Sequence, residues 1–325
     1  MKRFRWILLA VVVLAGLAAW WRYKHPADRA ISLFREPVAY AELEEDASPP
    51  HRLVADFHYT GRGGPEDGRF TLVWFSPAHW YQKIDLPGYS ETRIRDSNTE
   101  YRQTSVPYRT YASFILEQAF RMEAVYVGYV AYDLRKTPVQ QKMLEGRTVD
   151  CIEEPAVTCV DGNRLILLDF LGDRFVFSPE WKGFGNHGFA SETKYYKNDT
   201  LLVDAKLVEL APATKGDREL LKPPTDARAL ALCEPDSVPG LPETLENTPV
   251  AVGALWHERP GATDVYFMIE DDGRVSDVAA VNAPTPALAR AAEAIVRRWK
   301  FRPARCIDGK PVQIDAIVSV EAAQK

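Results

Sequence analysis

The chain has 325 residues, of which 46% are hydrophobic, 26% charged and 11% aromatic. This composition is that of an ordinary globular protein, and the length favours two domains joined by a tether. The net charge of −5 excludes the strongly basic surface that a nucleic-acid-binding protein needs.

An apolar run from Trp6 to Trp21, flanked by basic residues, dominates residues 1–25. A helix over this run would be about 24 Å long, and its terminal tryptophans suit the two interfaces of a membrane. A cleaved signal peptide is the alternative, because Gly16–Ala19 offers small residues for cleavage. We expect an uncleaved inner-membrane anchor, with the remainder of the chain exported.

A β-rich domain is predicted over residues 51–210, after an acidic lead-in at 26–50. Apolar and polar residues alternate there in short runs separated by turn-forming residues, which indicates an antiparallel meander. A helix is predicted from Arg109 to about Ala124. Strands are predicted at Leu53–Tyr59, Phe70–Trp74, Trp80–Ile84, Tyr89–Arg95 and Thr99–Thr104, and again near Arg147, Leu165, Phe175, Glu192 and Leu201. Charged, proline-rich residues 211–232 are predicted to be a linker.

Within this domain, Gly68–Tyr101 resembles the opening strands of LolA-like proteins, through two tryptophans spaced as W-x-x-P-x-x-W. The resemblance implies a curved antiparallel sheet with a helix on its concave face. It also implies a hollow for an acyl chain or another apolar ligand, lined by Trp74, Trp80, Phe114 and Phe120. The alternative is that these four side chains are packed core, because buried aromatic residues more often fill space than bind ligand.

The C-terminal residues 264–320 predict a strand, a hairpin turn at Asp271–Gly273, a second strand, a helix and a closing strand. Irregular spacing of Val275, Val278 and Val281 predicts a bulge in the second strand. Thr285 is predicted to cap the helix, and Pro303 to end it. The apolar stripe of the helix is predicted to be Leu288, Ala292, Ile295 and Trp299. The arginines beside this stripe form a solvated face, the alternative being a contact with an anionic partner.

These elements, with the run Trp299–Pro303 and the turn Asp308–Val312, resemble the C-terminal domain of the TonB family over residues 250–322. The resemblance implies a ββαβ domain within residues 233–325, and with the β-rich domain an α+β fold class. TonB proteins link the inner membrane to outer-membrane receptors, and their C-terminal domain adds its sheet edge to a receptor strand. The implied partner-binding edge is Val312, Gln313, Ile314, Asp315, Ala316, Ile317, Val318, Ser319 and Val320.

The same resemblance implies ExbB/ExbD-like motor partners that grip the membrane helix. Three departures bear on that role. The run Trp6–Trp21 lacks the family's polar Ser/His pair, a folded domain replaces the family's long Pro/Lys/Glu-rich spacer, and the Tyr-Pro segment before the first strand is missing.

The four cysteines suit an oxidising compartment and allow three pairings. We favour Cys151 with Cys159 and Cys233 with Cys306, because each bridge then stays within one domain. Reduced thiols are the alternative. A metal site is disfavoured because no pair has CxxC spacing or a nearby histidine.

No catalytic, cofactor or metal motif was found in the sequence. The six histidines form no HExxH pair, there is no G-x-S-x-G elbow, and Gly61–Gly64 lacks the Lys-Ser/Thr ending of a phosphate loop. The predicted function is therefore a non-enzymatic TonB-family protein, single-pass in the inner membrane with periplasmic domains, that contacts an outer-membrane receptor or another envelope protein. The alternative is a periplasmic carrier or sensor of an apolar ligand.

Overall fold

The computed structural model of the chain describes residues 33, 34, 37, 41, 48–61, 64–120, 138–144, 146–153, 156–170, 172–233, 243–244 and 262–320. The predicted anchor at 1–25 and most of the lead-in at 26–50 lie outside these residues. Across the described ranges, none of the helices is both long enough and apolar enough to cross a bilayer. The described residues divide into a larger unit within 44–120 and 201–325, and a smaller unit within 1–43 and 121–200.

The larger unit begins with the predicted meander. Its elements are β1 (His51–Tyr59), β2 (Glu66–Ser76), β3 (His79–Leu86), β4 (Tyr89–Asp96), β5 (Thr99–Thr104) and helix α1 (Tyr111–Phe120). Alternation in β1 buries Leu53, Ala55, Phe57 and Tyr59, as the period of a half-buried strand requires. All five strands were predicted. The helix begins two residues later than predicted, and the part of that prediction beyond Phe120 lies outside the described residues.

The smaller unit is also built from antiparallel strands. These are β6 (Gln140–Leu144), β7 (Arg147–Ile152), β8 (Val157–Asp161), β9 (Arg164–Phe170), β10 (Asp173–Phe177), β11 (Trp181–Phe184), β12 (His187–Ala190) and β13 (Glu192–Lys197). Six strands lie in the order β13-β10-β9-β8-β7-β6, and β11 pairs with β12. Cys151 lies opposite Cys159 in the β7–β8 pair, and the two are joined by a disulfide. This bridge confirms the predicted pairing.

The chain returns to the larger unit through β14 (Thr200–Pro212), a 3₁₀ turn (Gly216–Leu221) and β15 (Arg228–Ala231). The meander sheet then has the order β15-β5-β4-β3-β2-β1-β14. Residues 211–232, predicted as a linker, thus contain regular structure. The buried Asp217 accepts hydrogen bonds from Arg52 and Thr214, and β15 pairs with β5 along its whole length. Prolines and charges suggested a tether, but these contacts hold the segment against the meander.

The C-terminal module, defined here as residues 263–320, has the predicted ββαβ core with short additional pairs. Its strands β18-β17-β22 form an antiparallel sheet, and β20 pairs with β21. The elements, with β16 just before them, are β16 (Glu243–Thr244), β17 (Thr263–Ile269), β18 (Val275–Asn282), α2 (Pro286–Val296), β19 (Phe301–Arg302), β20 (Ala304–Arg305), β21 (Pro311–Val312) and β22 (Ile314–Val320). Register shifts between β17 and β18 confirm the predicted bulge.

Helix α2 packs on one face of this sheet. Thr285 caps it by accepting a hydrogen bond from the Leu288 amide, as predicted. Trp299 lies in the core with its ring edge-on to Phe267, 5.8 Å between centroids. The predicted stripe was wrong at Ile295, which is 37% exposed, whereas the next residue, Val296, is fully buried. Spacings of three and four residues both lie on one helix face, so the sequence alone did not distinguish the two positions.

The hairpin turn between β17 and β18 depends on Gly273. Its φ is +82°, and a Cβ on this residue would lie 1.9 Å from the carbonyl oxygen of Phe301. The Phe301 amide donates to the Gly273 carbonyl at 3.0 Å. The turn and the chain after α2 therefore approach more closely than any side chain would permit.

Candidate functional site

The predicted partner-binding segment spans two structural elements. Val312 belongs to β21, which pairs with β20, so the closing strand begins only at Ile314. From Ile314 to Val320, β22 pairs with β17 in unbroken antiparallel register. The sheet order makes β22 an edge strand, with no second strand partner in the part of the chain that the structure describes.

The two faces of β22 have different neighbours. Ala316, Val318 and Val320 contribute to the core beneath α2, so the alternating residues Asp315, Ile317 and Ser319 face the other way. On that second face, Tyr266 and Met268 of the neighbouring strand β17 are also buried, at 3% and 1% exposed. The sheet of the C-terminal module is therefore covered on both faces.

Asp315 on β22 is bound by two arginines of the meander. Its Oδ2 atom lies 2.5 Å from Nη1 of Arg102 and 3.3 Å from Nη1 of Arg109. The three side chains are 12%, 10% and 2% exposed. Such shielding from water makes the ion pairs stronger than surface pairs, and makes removal of one partner more damaging.

Arg109 also binds two carboxylates of the meander. Its Nε lies 2.9 Å from Glu91 Oε1 on β4, and its Nη2 lies 2.8 Å from Glu117 Oε2 on α1. One guanidinium thus joins three separate elements, which are β4, α1 and β22. The planar, five-donor geometry of arginine suits such a three-way contact, and lysine could not reproduce it.

Glu100 on β5 completes the charged cluster. It accepts from Arg93 Nη2 at 2.6 Å and from Arg102 Nη2 at 2.7 Å, while Arg93 also pairs with Glu117. Burial alone would raise the pKa of Glu100, but the charges of Arg93 and Arg102 outweigh burial and lower the pKa to about 2. Glu100 therefore remains charged in the neutral pH range.

The guanidinium groups show the reciprocal effect. Burial opposes the charged forms of Arg93, Arg102 and Arg109, but the carboxylates around them raise the pKa of each above its ordinary value. The cluster is thus a set of mutually compensating charges, in which each acid is matched by at least one base.

Further contacts fasten the C-terminal module beside this cluster. Arg228 on β15 pairs with Glu270 at 2.6 Å and also with Asp277 on β18. Cys233, just after β15, forms a disulfide with Cys306, which confirms the second predicted pairing. The module is thus joined to the meander by a covalent bond as well as by ion pairs.

A polar cavity of about 460 Å³ lies at the same junction. Arg102, Arg109 and Arg228 line it from the meander side, and Tyr266 and Met268 from β17. Burial raises the pKa of Tyr266. Since three guanidinium groups line this cavity, its surface is poorly suited to an acyl chain.

The four predicted apolar-ligand residues lie in packed positions. Trp74 and Trp80 face each other across β2 and β3, and each is 2% exposed. Phe120 on α1 stacks on Phe70 with 4.2 Å between ring centroids, and the Arg109 guanidinium lies 4.0 Å from the Phe114 ring centroid. None of the four lines the cavity above or the larger groove of about 740 Å³ beside Phe57 and Arg69.

Sequence reasoning missed the arginines and glutamates of the cluster. In β4, Tyr89, Glu91 and Arg93 are buried on one face and Ile94 on the other, so the polar face of the strand is itself covered. The sequence did contain a signal for this burial. Tyr89 and Ile94 lie on opposite faces of one strand, and an apolar residue on each face indicates that both faces are buried. Throughout the described ranges, no group of three or more His, Cys, Asp and Glu residues has the arrangement of a metal site.

The geometry of the C-terminal module, one helix on a three-stranded sheet that ends in a regular edge strand, is that of a small ββαβ domain. Residues 256–321 match the family model of the Gram-negative bacterial TonB protein C-terminal domain. The predicted resemblance of this segment to the TonB family is therefore confirmed. The search of curated proteins gave no match to the chain.

Three solved structures resemble the chain at low TM-scores. A LolA superfamily protein from Nitrosomonas europaea has 4% identity and a TM-score of 0.36, covering 59% of this chain and 97% of its own. A DUF1329 family protein from Desulfovibrio piger has 10% identity and a TM-score of 0.36, covering 61% and 97%. MucB has 8% identity and a TM-score of 0.29, covering 68% and 72%. The LolA superfamily was predicted for the β-rich region, but TM-scores this low support no functional inference.

Proposed function

We propose that this chain is a non-enzymatic TonB-type protein of the bacterial envelope that binds a partner protein through its C-terminal module. The observation that carries the proposal is the family match over residues 256–321, which coincides with a folded ββαβ module. Its partner is an outer-membrane receptor or another envelope protein. The apolar run Trp6–Trp21 would anchor it in the inner membrane as a single pass, with the described residues in the periplasm.

The proposed mode of binding is strand addition at β22. Its register with β17 is unbroken over seven residues, so an extended peptide could pair along the outer edge of the strand. Ile314, Asp315 and Ser319 of β22 have intermediate exposure, whereas Ala316, Ile317 and Val318 are 2–3% exposed. Full pairing therefore requires this edge to be uncovered first, and the ion pairs of Asp315 oppose any movement that separates β22 from the meander.

Energy transduction through ExbB/ExbD-like partners is a further part of the proposal. The family uses a long spacer, whereas here β15, the disulfide Cys233–Cys306 and the Asp315 contacts hold the module against the meander. A module held in this way would act close to the membrane surface from which the chain emerges. We therefore place its partner within reach of the inner membrane, unless the contacts with the meander open.

Site-specific photocrosslinking in cells would test the proposal. A photoreactive residue at Ser319 on β22 is expected to give a discrete protein adduct. The matched control at Ser276, on the opposite edge strand β18, is expected to give none. Equal adducts from both positions, or adducts from Ser276 alone, would refute strand addition at β22.

The second candidate function is a periplasmic carrier or sensor of an apolar ligand. The observation in its favour is the aromatic layer between α1 and the meander, where Phe120 stacks on Phe70. An acyl chain would bind there only if α1 moved away and exposed this apolar surface. Lipid extraction and mass spectrometry of the purified protein would test this function. Near-stoichiometric acyl ligand would support it, and its absence after purification without detergent would reject it.

A further inference from the structure

The three-stranded sheet of the C-terminal module has two edge strands, and they differ. β22 is regular, whereas β18 carries the bulge, at which Asp277 has a φ of +49°. A bulge twists an edge and interrupts its pattern of donors and acceptors, which makes strand addition less favourable. A second register shift lies at the other end of β18, where Asp264 pairs with Asn282 and Val265 pairs with Ala280. The stretch of β18 between the two shifts needs a separate explanation.

Between the two register shifts, β18 is capped by side chains from α2. The backbone N–H of Ala280 donates to Glu293 Oε1 at 3.0 Å. The guanidinium of Arg297 donates to the backbone carbonyl of Val278 at 3.1 Å. The Ala280 N–H is therefore not available to an incoming strand, and one of the two lone pairs of the Val278 carbonyl is occupied.

Glu293 and Arg297 are also bound to each other. They are spaced by four residues across the end of α2 and lie 3.1 Å apart, in the favoured order with the acid first. The side chain of Arg297 is 57% exposed and that of Glu293 27% exposed. An exposed pair of this kind adds little to stability by itself. The hydrogen bonds that the pair makes to two backbone groups of an edge strand are therefore a better guide to its role than its contribution to stability.

Near the bulge, Arg228 of β15 acts similarly. It pairs with Asp277 and with Glu270, and Glu270 in turn accepts from Ser276. The side chains of β18 are thus engaged near the bulge, and its backbone is capped beyond it. β22 carries no comparable side-chain cap on its backbone among the described contacts.

We propose that Glu293 and Arg297 guard β18 against strand addition, in particular by β18 of a second copy of this chain, and so leave β22 as the edge for a partner's strand. The second copy is the occupant because its β18 has the same length and only one charged residue, Asp277, so charge repulsion would do little to prevent two β18 strands from pairing. The choice of β22 rests on the proposed function, but the guard itself can be tested without any partner.

The test uses the purified full chain with Glu293→Ala and Arg297→Ala combined, since alanine keeps the helix favourable. Hydrogen exchange of the Ala280 amide is expected to accelerate by about tenfold or more, because its acceptor is gone. Sedimentation velocity is expected to show new self-association, with amides of 276–281 becoming protected as concentration rises. The matched control is Arg290→Ala with Arg298→Ala, which removes two exposed arginines of the same region and should leave both readouts unchanged.

The variant Glu293→Gln distinguishes loss of the hydrogen bond to Ala280 from general damage to the fold. The amide oxygen still accepts a hydrogen bond, so this variant should retain slow exchange at Ala280 and the association state of the unmodified chain. The guard is refuted if the double alanine variant, shown to be folded by circular dichroism, has the same association state as the unmodified chain. Crosslinking at Ser319 tests the proposed function separately. Strand addition at β22 can therefore be refuted while the protection of β18 by Glu293 and Arg297 is supported.

Discussion

Replacing Asp315 with asparagine tests whether the C-terminal module is held by the charged cluster. The substitution keeps the size of the side chain but removes the charge that balances Arg102 and Arg109. Breaking a buried ion pair by removing one partner costs about 3–5 kcal/mol. Here Arg102 retains Glu100, and Arg109 retains Glu91 and Glu117. We therefore expect the lower end of that range, about 3 kcal/mol.

Thermal unfolding with both disulfides intact is the appropriate assay. For a unit of this size, each kcal/mol lowers Tm by about 2–4 °C, so Asp315→Asn should lower it by about 6–12 °C. The matched control is Asp226→Asn, because Asp226 is an exposed acid that accepts from Gln103 on the same meander. That change should cost less than about 0.5 kcal/mol.

A double-mutant cycle between Asp315→Asn and Arg102→Gln identifies the pair responsible. A coupling energy of at least about 1 kcal/mol is expected for two groups in direct contact. If Asp315→Asn and Asp226→Asn lower Tm equally, or the coupling energy is near zero, the cluster does not hold β22 and the reasoning fails.

Three further predictions concern stability. Gly273→Ala should destabilise the chain by at least about 2 kcal/mol, because it requires an unfavourable φ and contacts the Phe301 carbonyl; an unchanged denaturation midpoint would contradict this. The folded pKa of Glu100, about 2, lies below its ordinary value of 4.5, so its contribution, on the order of 3 kcal/mol, is complete above about pH 4.5 and lost as pH falls towards 2. Acid titration of the unfolding free energy should therefore be shallower in Glu100→Gln, and parallel curves would refute the assignment. Removing Cys233–Cys306, whose partners are 73 residues apart, should cost about 4 kcal/mol, against about 2.5 kcal/mol for Cys151–Cys159, 8 residues apart; chemical denaturation of the two double alanine variants should reproduce this order.

The sequence was informative wherever the signal is local. Strand alternation in β1 to β5, the Asp271–Gly273 turn, the Thr285 cap and the bulge in β18 all follow from neighbouring residues, and the structure contains each of them. Local patterns were less reliable at 211–232, because a proline-rich composition does not reveal that β15 pairs with a strand more than 120 residues earlier.

The strands, turn and helix of the C-terminal module, and the favoured pairing of the four cysteines, could therefore be predicted from the sequence itself. The positions of Arg102 and Asp315, which are 213 residues apart, were not. Hydrophobic periodicity assigns charged residues in a strand to solvent. Folding of the meander makes Glu91 and Glu100 neighbours of arginines, and only folding of the module against the meander adds Asp315 to them. The difference between the edges β18 and β22 is likewise tertiary, because it depends on which backbone groups the side chains of α2 can reach.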